Sequence, residues 1–263
     1  MAKSAFRALA IMEFVAQRKT GATHSEIAAG LSIPKSSLTG LLRDLEQPRY
    51  LHFDEGTARY SIGSQVMFLA NAYLRNLNVV REGAPIVHRI FVELNEFSAM
   101  TLPQGDDCVV VCAESATSPL AHSLSLGQRL PMLANAVGRV ILAFLDDAEV
   151  DEYLATHRPV AHTPQTLVKL KDIRDELKKV RKAGVAIAHE EYLPGITGIA
   201  APVFNIEGRP IASVAVALPT VRVTEKLERK ITTVLLAQAT ALSRLLGAGS
   251  TNQPRASQSG ASE

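Results

Sequence analysis

Side chains able to hold a phosphate or a base edge gather between Thr23 and Gln47. Lys35, Ser36, Ser37, Thr39 and Arg43 place two cations and three hydroxyls along one short stretch, with no acid between Lys35 and Arg43. Such groups donate to phosphate oxygens and to base edges in a groove. Other constellations offer less chemistry. Glu190 and Glu191 resemble a paired-carboxylate acid/base site, but neighbours on a strand point to opposite faces and cannot readily serve one substrate. Cys108 and Cys112 sit four apart in a strand-like run, where they would share a face yet lie too far apart to pair with each other. No His stands at ligand spacing beside them, so zinc is not expected. The chain shows no Gly-x-Ser-x-Gly, no phosphate-binding loop and no Cys–His pair of recognisable spacing.

The elements that must carry the basic and hydroxyl groups are two short helices. Thr23 and Glu26 have capping-box spacing, so a helix starts there with Ile27 and Ala28 inward. Gly30 ends it, and Leu31-Ser32 forms a tight turn. Pro34 suits the first turn of a second helix. Leu38, Leu41, Leu42 and Leu45 then recur at helical spacing as one apolar stripe. Lys35, Ser36, Thr39 and Arg43 lie opposite. Any surface hairpin of helices has a polar face. The tight turn, the acid-free face and the hairpin that follows together favour a winged helix-turn-helix whose second helix enters the major groove. That hairpin runs from Tyr50 to Ile62 with its turn at Glu55-Gly56.

The bulk composition supports a local patch rather than a polycationic surface. The 263 residues carry 28 Lys and Arg against 26 Asp and Glu, and 47% of them are hydrophobic. Such a chain fits one large or two ordinary domains. No stretch reaches transmembrane length, and the first residues do not read as a secretion signal. A cytoplasmic protein without membrane attachment is expected.

Ser4 to Gln17 is a first helix, packing behind the helix-turn-helix through Ala5, Ala8, Leu9, Ile11, Met12 and Val15. Ser64 to Asn78 is a helix whose stripe (Val66, Leu69, Ala70, Tyr73, Leu74, Leu77) is broad for a connector and suits a second copy. Pro85 fits the first turn of a further helix to about Asn95. Strands are expected over Ala99–Leu102, Cys108–Glu114, His122–Leu126, Val185–Ala188, Ile199–Phe204 and Ile211–Leu218, with a loop over Pro194–Gly198. Helices are expected over Ala136–Leu145 with Asn135 as cap, Asp147–Ala155, Leu167–Lys182, and from Thr224 to about Leu246. The whole is α+β: residues 1–63 a winged helix-turn-helix, 64–80 a linker helix, 81–247 an antiparallel sheet with helices, and 248–263 a disordered tail.

These residues resemble the IclR family of bacterial transcriptional regulators over residues 4 to about 246. The resemblance is carried by Arg7-Ala8-Leu9, Glu26-Ile27-Ala28, Ile33-Pro34-Lys35-Ser36-Ser37, Arg59-Tyr60-Ser61-Ile62-Gly63, Gly127-Gln128-Arg129-Leu130-Pro131 and the run from Gly195 to Phe204. It implies a GAF/profilin-like effector-binding domain after the linker helix. It further implies a homodimer or dimer of dimers on double-stranded operator DNA, with a small organic acid as effector and no cofactor or metal. Such proteins regulate catabolic genes as repressors or activators. Gly40 stands where the family commonly has Arg, and Arg49 where it commonly has Gly. Lys35, Ser36, Ser37, Thr39 and Arg43 remain the expected DNA contacts, with Arg59 reaching a phosphate or the minor groove from the wing.

The family's effector lies between the sheet and the helix that begins near Asn135, where the N–H groups of Ala136 and Val137 would attract a carboxylate. Ala188, Gly198, Ala215 and Ala217 stand at positions where an acid, Cys or Ser is common. The pocket is thereby stripped of donors, and an aromatic or alicyclic carboxylate is expected rather than a two- or three-carbon acid. Leu130, Met132 and Ile196 are expected on its apolar walls, and His122, Asn135 and His189 as polar anchors. An enzyme using the same cleft is the competing reading. A DNA-binding structural protein without effector is a third, which so large a second domain disfavours.

Overall fold

In the computed structural model two units separate by their internal contacts, residues 1–76 and 77–263, and the structure describes residues 3–75, 78–115 and 125–248. The first unit has α1 (Lys3–Ala16), β1 (Ala22–Thr23), α2 (His24–Gly30), α3 (Lys35–Glu46), β2 (Leu51–Asp54), β3 (Arg59–Ile62) and α4 (Gln65–Arg75). Its core is built from the helical stripes. Ile11 and Val15 of α1, Ile27 of α2, and Leu38 and Leu42 of α3 are almost fully buried, with Leu51 of the wing beneath them. Ala5 and Leu9 of α1 instead face solvent, because Ile11 and Val15 set the buried side.

Local chemistry fixes the helix-turn-helix. The Thr23 hydroxyl accepts from the Glu26 N–H, and the Glu26 carboxylate accepts from the Thr23 N–H at 2.8 Å, closing the capping box. Ser32 takes a left-handed φ of 52° in the turn. Pro34 caps α3, so its missing N–H removes no helical bond. The wing strands pair antiparallel, and β1 adds a third strand on β3.

The second unit has α5 (Asn78–Leu94), β4 (Phe97–Gln104), β5 (Asp107–Glu114), β6 (Arg129–Pro131), α6 (Ala136–Leu142), α7 (Asp147–Thr156), α8 (Leu170–Ala183), β7 (Ala186–His189), β8 (Ile196–Phe204), β9 (Pro210–Pro219) and α9 (Glu225–Leu245). The strands form one antiparallel sheet in the order β6-β5-β4-β9-β8-β7. Helices α5 and α9 contact one another and the sheet, while α6 packs on the sheet with α8 against it. Val140 and Ile141 of α6, Leu154 of α7 and Ile173 of α8 join the floor alanines in one core.

Several expectations are corrected. Pro85 lies inside α5 rather than at its start. An interior Pro costs about 3 kcal/mol, and the buried Val80, Ile86, Val87 and Ile90 hold both sides of it in place. Ile196–Gly198 extend β8 instead of forming a loop, since they pair with Ala217–Pro219 of β9. Of the strand expected over 122–126, residues 122–124 lie outside the described residues; Ser125 and Leu126 are not strand, and β6 follows instead. The 249–263 tail also lies outside them. Cys108 and Cys112 do not share a face. The β4–β5 register slips at Met100/Thr101, leaving Val111 as the extra residue of a bulge. Cys108 joins the core under α6, whereas Cys112 pairs with Met100, whose sulfur lies against Gly83 of α5.

Candidate nucleic-acid interface and effector cavity

Helix α3 turns its three buried leucines inward and leaves Lys35, Ser36, Ser37, Thr39 and Arg43 exposed. Neither Lys35 nor Arg43 has a side-chain partner among the described residues, so both charges are available to an external anion. The Thr39 hydroxyl donates to the Lys35 carbonyl at 3.0 Å and lies 3.0 Å from His24 Nε2, which couples α2 to α3. Arg59 behaves otherwise. Its guanidinium donates to the Gly21 carbonyl at 3.0 Å and to both Glu26 oxygens at 3.3 Å. Arg59, expected to reach DNA from the wing, here ties the wing to the start of α2. The Thr23 N–H first, and Arg59 after it, hold the Glu26 carboxyl below its ordinary value.

A cavity open to solvent at its mouth lies between the sheet and α6, and its roughly 610 Å³ of empty space includes that opening. Its floor follows from strand register. Ala188, Gly198, Ala217 and Phe97 stand side by side across β7, β8, β9 and β4, and Ala186, Ala200, Ala215 and Ala99 form the next row. Four strands thus present one glycine, six alanines and one phenylalanine to α6. A Cβ built on Gly198 would sit 3.8 Å from the Ala136 Cβ, so the glycine leaves room rather than relieving a clash. Val110, Leu130, Ile196, Tyr192 and Leu193 complete the apolar wall, and among the described residues Thr101 and Tyr192 are the hydroxyl-bearing ones that line it. Asn135 caps α6: its Oδ1 accepts from the Gly138 N–H at 3.1 Å, and its Nδ2 donates to the Pro131 carbonyl at 2.5 Å. The preceding N–H groups, of Ala136 and Val137, have no hydrogen-bond partner among the described residues.

Residues 71–244 match the family model described as "Bacterial transcriptional regulator IclR C-terminal", and residues 4–55 that of the "IclR helix-turn-helix domain". The chain belongs to the IclR family. It is 31% identical over 234 residues to the Pca regulon regulatory protein of Pseudomonas putida, covering 88% of this chain and 79% of that one. It is 26% identical over 219 residues to the transcriptional repressor AllR of Salmonella typhi, covering 83% and 80%. The IclR structure from Thermotoga maritima superposes with a TM-score of 0.81 at 25% identity, over 94% of this chain and 100% of that one. An IclR homologue from Microbacterium hydrocarbonoxydans, complexed with 4-hydroxybenzoate, gives 0.78 at 20% identity over 93% and 99%, a likeness of fold.

In this IclR-type transcriptional regulator the helix-turn-helix and the effector-domain fold follow the family. Of the residues expected around the effector, nine line one cavity: Leu130, Asn135, Ala136, Val137, Ala188, Ile196, Gly198, Ala215 and Ala217. Three do not. His122 lies outside the described residues. Met132 is buried beneath α6 and opens onto a separate depression with Tyr153 and His157. His189 is exposed on the other face, 3.3 Å from the Thr197 hydroxyl and 3.8 Å from Glu228 of α9. Alternation dictates this, since Ala188 and His189 are neighbours on β7 and only one can face α6. Phe97, Ala99, Thr101, Val110, Tyr192 and Leu193 line the cavity without having been expected there. The alternation of Phe97, Ala99 and Thr101 was the available signal.

Sequence reasoning also missed Arg139. It is 1% exposed, grips the Glu191 carboxylate with both terminal nitrogens, and donates through Nε to the Leu133 carbonyl at 3.2 Å. Glu191 accepts the Leu167 N–H as well, at 3.3 Å. Glu190 takes a left-handed φ of 57° and accepts the Gly195 N–H. The two acids thus hold the segment carrying Tyr192 and Leu193, a structural role in place of acid/base chemistry.

Proposed function

We propose that this regulator reads operator DNA through Lys35, Ser36, Ser37, Thr39 and Arg43 of α3, and that an aromatic or alicyclic carboxylate in the cavity under α6 sets its affinity for that DNA. The floor of Ala188, Gly198, Ala217 and Phe97 carries the effector reading. It offers area and no donor to a flat apolar body. A small oxo acid would leave its oxo oxygen unpaired there, and desolvating such a group without a partner is unfavourable by about 1–3 kcal/mol. The N–H groups of Ala136 and Val137 supply donors for the carboxylate. The 4-hydroxybenzoate complex of the Microbacterium hydrocarbonoxydans homologue accords with this class.

The regulator acts as a dimer in this reading. Met67, Phe68 and Leu69 of α4 are 50–68% exposed, an apolar surface that suits a second copy. Two heads then meet half-sites about 34 Å apart. Effector binding changes DNA affinity only as far as it discriminates between two head arrangements.

A thermal-shift screen of the full chain against benzoate-type acids, glyoxylate and pyruvate tests the effector class. A site-specific ligand at a hundred times its Kd adds about 2.7 kcal/mol. Stabilisation by the aromatic acids alone is expected, and stabilisation by the oxo acids alone refutes the reading. For DNA, Lys35→Ala and Arg43→Ala should each weaken operator binding and lower the salt slope by about one if they meet phosphates. Unchanged affinity in both refutes the α3 assignment.

A further inference from the structure

Among the described lining residues of this largely apolar cavity, Thr101 carries a buried hydroxyl. Phe97, Ala99 and Thr101 alternate along β4 and all face the cavity. Thr101 is 1% exposed, and its Oγ1 lies 2.8 Å from the Oγ of Ser213 on β9, itself fully buried. Each hydroxyl brings one proton and two acceptor positions. The bond between them uses one proton. Capacity for one further bond is left on a residue that lines the cavity.

We propose that Thr101 is a specificity-determining residue that reads a ring hydroxyl on the effector, so that the favoured ligands are hydroxylated aromatic acids. This rests on the effector reading above. The position explains selectivity. A ring lacking the hydroxyl leaves Thr101 facing apolar surface, and a buried group left unpaired discriminates more sharply than added contact does.

The test is titration calorimetry of the full chain with benzoate and with 2-, 3- and 4-hydroxybenzoate, for the wild type, Thr101→Val and Ser213→Ala. Both variants break the Thr101–Ser213 bond, so a purely structural role affects them alike. Wild type should prefer a hydroxylated isomer over benzoate by about tenfold, the worth of one net hydrogen bond. Thr101→Val should abolish that preference, while Ser213→Ala should retain it. Benzoate binding without hydroxyl preference in wild type, or a preference that survives in Thr101→Val, overturns the assignment of Thr101 alone. Loss of the preference in both variants alike makes the pair structural and overturns it too. Absence of binding by all four acids to wild type overturns the effector reading itself, and this inference with it.

Discussion

Replacing Gly138 by Ala and Gly40 by Ala adds one methyl to two helices, with opposite expected consequences. In an exposed helix interior the exchange gains about 1 kcal/mol, because Gly loses more backbone freedom on folding. Gly40 is half-buried but leaves the space free: a Cβ there finds no atom within 4 Å. Gly138, in the first turn of α6, does not. A Cβ there would sit 2.5 Å from the Met132 carbonyl carbon and closer still to its Cα and O. These are backbone atoms and cannot rotate away as a side chain would. Overpacking of this kind costs about 1–3 kcal/mol, so with the propensity gain subtracted from the upper figure a net loss of about 2 kcal/mol is expected. For a unit of this size that lowers Tm by roughly 4–8 °C. The displaced segment includes Pro131, to which Asn135 is bonded, so the cavity rim moves with it. Differential scanning calorimetry of the full chain and its two variants reads both signs, as an upward shift in the Gly40→Ala transition and a downward one for Gly138→Ala. A Gly138→Ala protein at or above the wild-type Tm would refute the close approach of α6 to residue 132. A fall for Gly40→Ala would mean that α3 is not the free helix described.

Further consequences follow from single side chains. Arg49 holds a left-handed φ of 65°, so Arg49→Gly should stabilise the DNA-binding unit by about 1 kcal/mol, seen as a raised urea midpoint; a lowered midpoint would show that the Arg side chain makes up for its backbone. Glu191→Gln leaves the buried Arg139 charge without its partner, which costs about 3–5 kcal/mol, and chemical denaturation should report that loss with the far-ultraviolet spectrum retained. The depressed Glu26 carboxyl contributes stability that is fully present above its ordinary value of 4.5 and is lost as pH falls through its lower folded value. Acid titration of wild type against Glu26→Gln, followed by circular dichroism, should show a shallower acid limb in the variant. Identical limbs would remove the carboxylate from the account.

Register separates what could be read in advance from what could not. The capping box of Thr23 and Glu26 and the Leu38–Leu42–Leu45 stripe act within a few residues, so spacing alone carried them into the structure. Arg49 was legible as a departure from the usual Gly, and its positive φ supplies the physical reason for that Gly. His189 was mistaken for a pocket residue although strand alternation already argued against it.

What the sequence by itself determined is therefore local: the helix starts and stops, the apolar faces, the wing turn, and the family to which their order belongs. Only the tertiary structure decided which small residues lie side by side. Ala188, Gly198, Ala217 and Phe97 come from four strands spread over more than a hundred positions, and antiparallel register makes them one floor. Cross-strand pairing likewise put Thr101 against Ser213, and the Val111 bulge sent Cys112 to the far face. Arg139 and Glu191 meet 52 residues apart. Such contacts depend on which strand lies beside which and on single-residue slips in the ladder, and a one-residue slip reverses every face that follows.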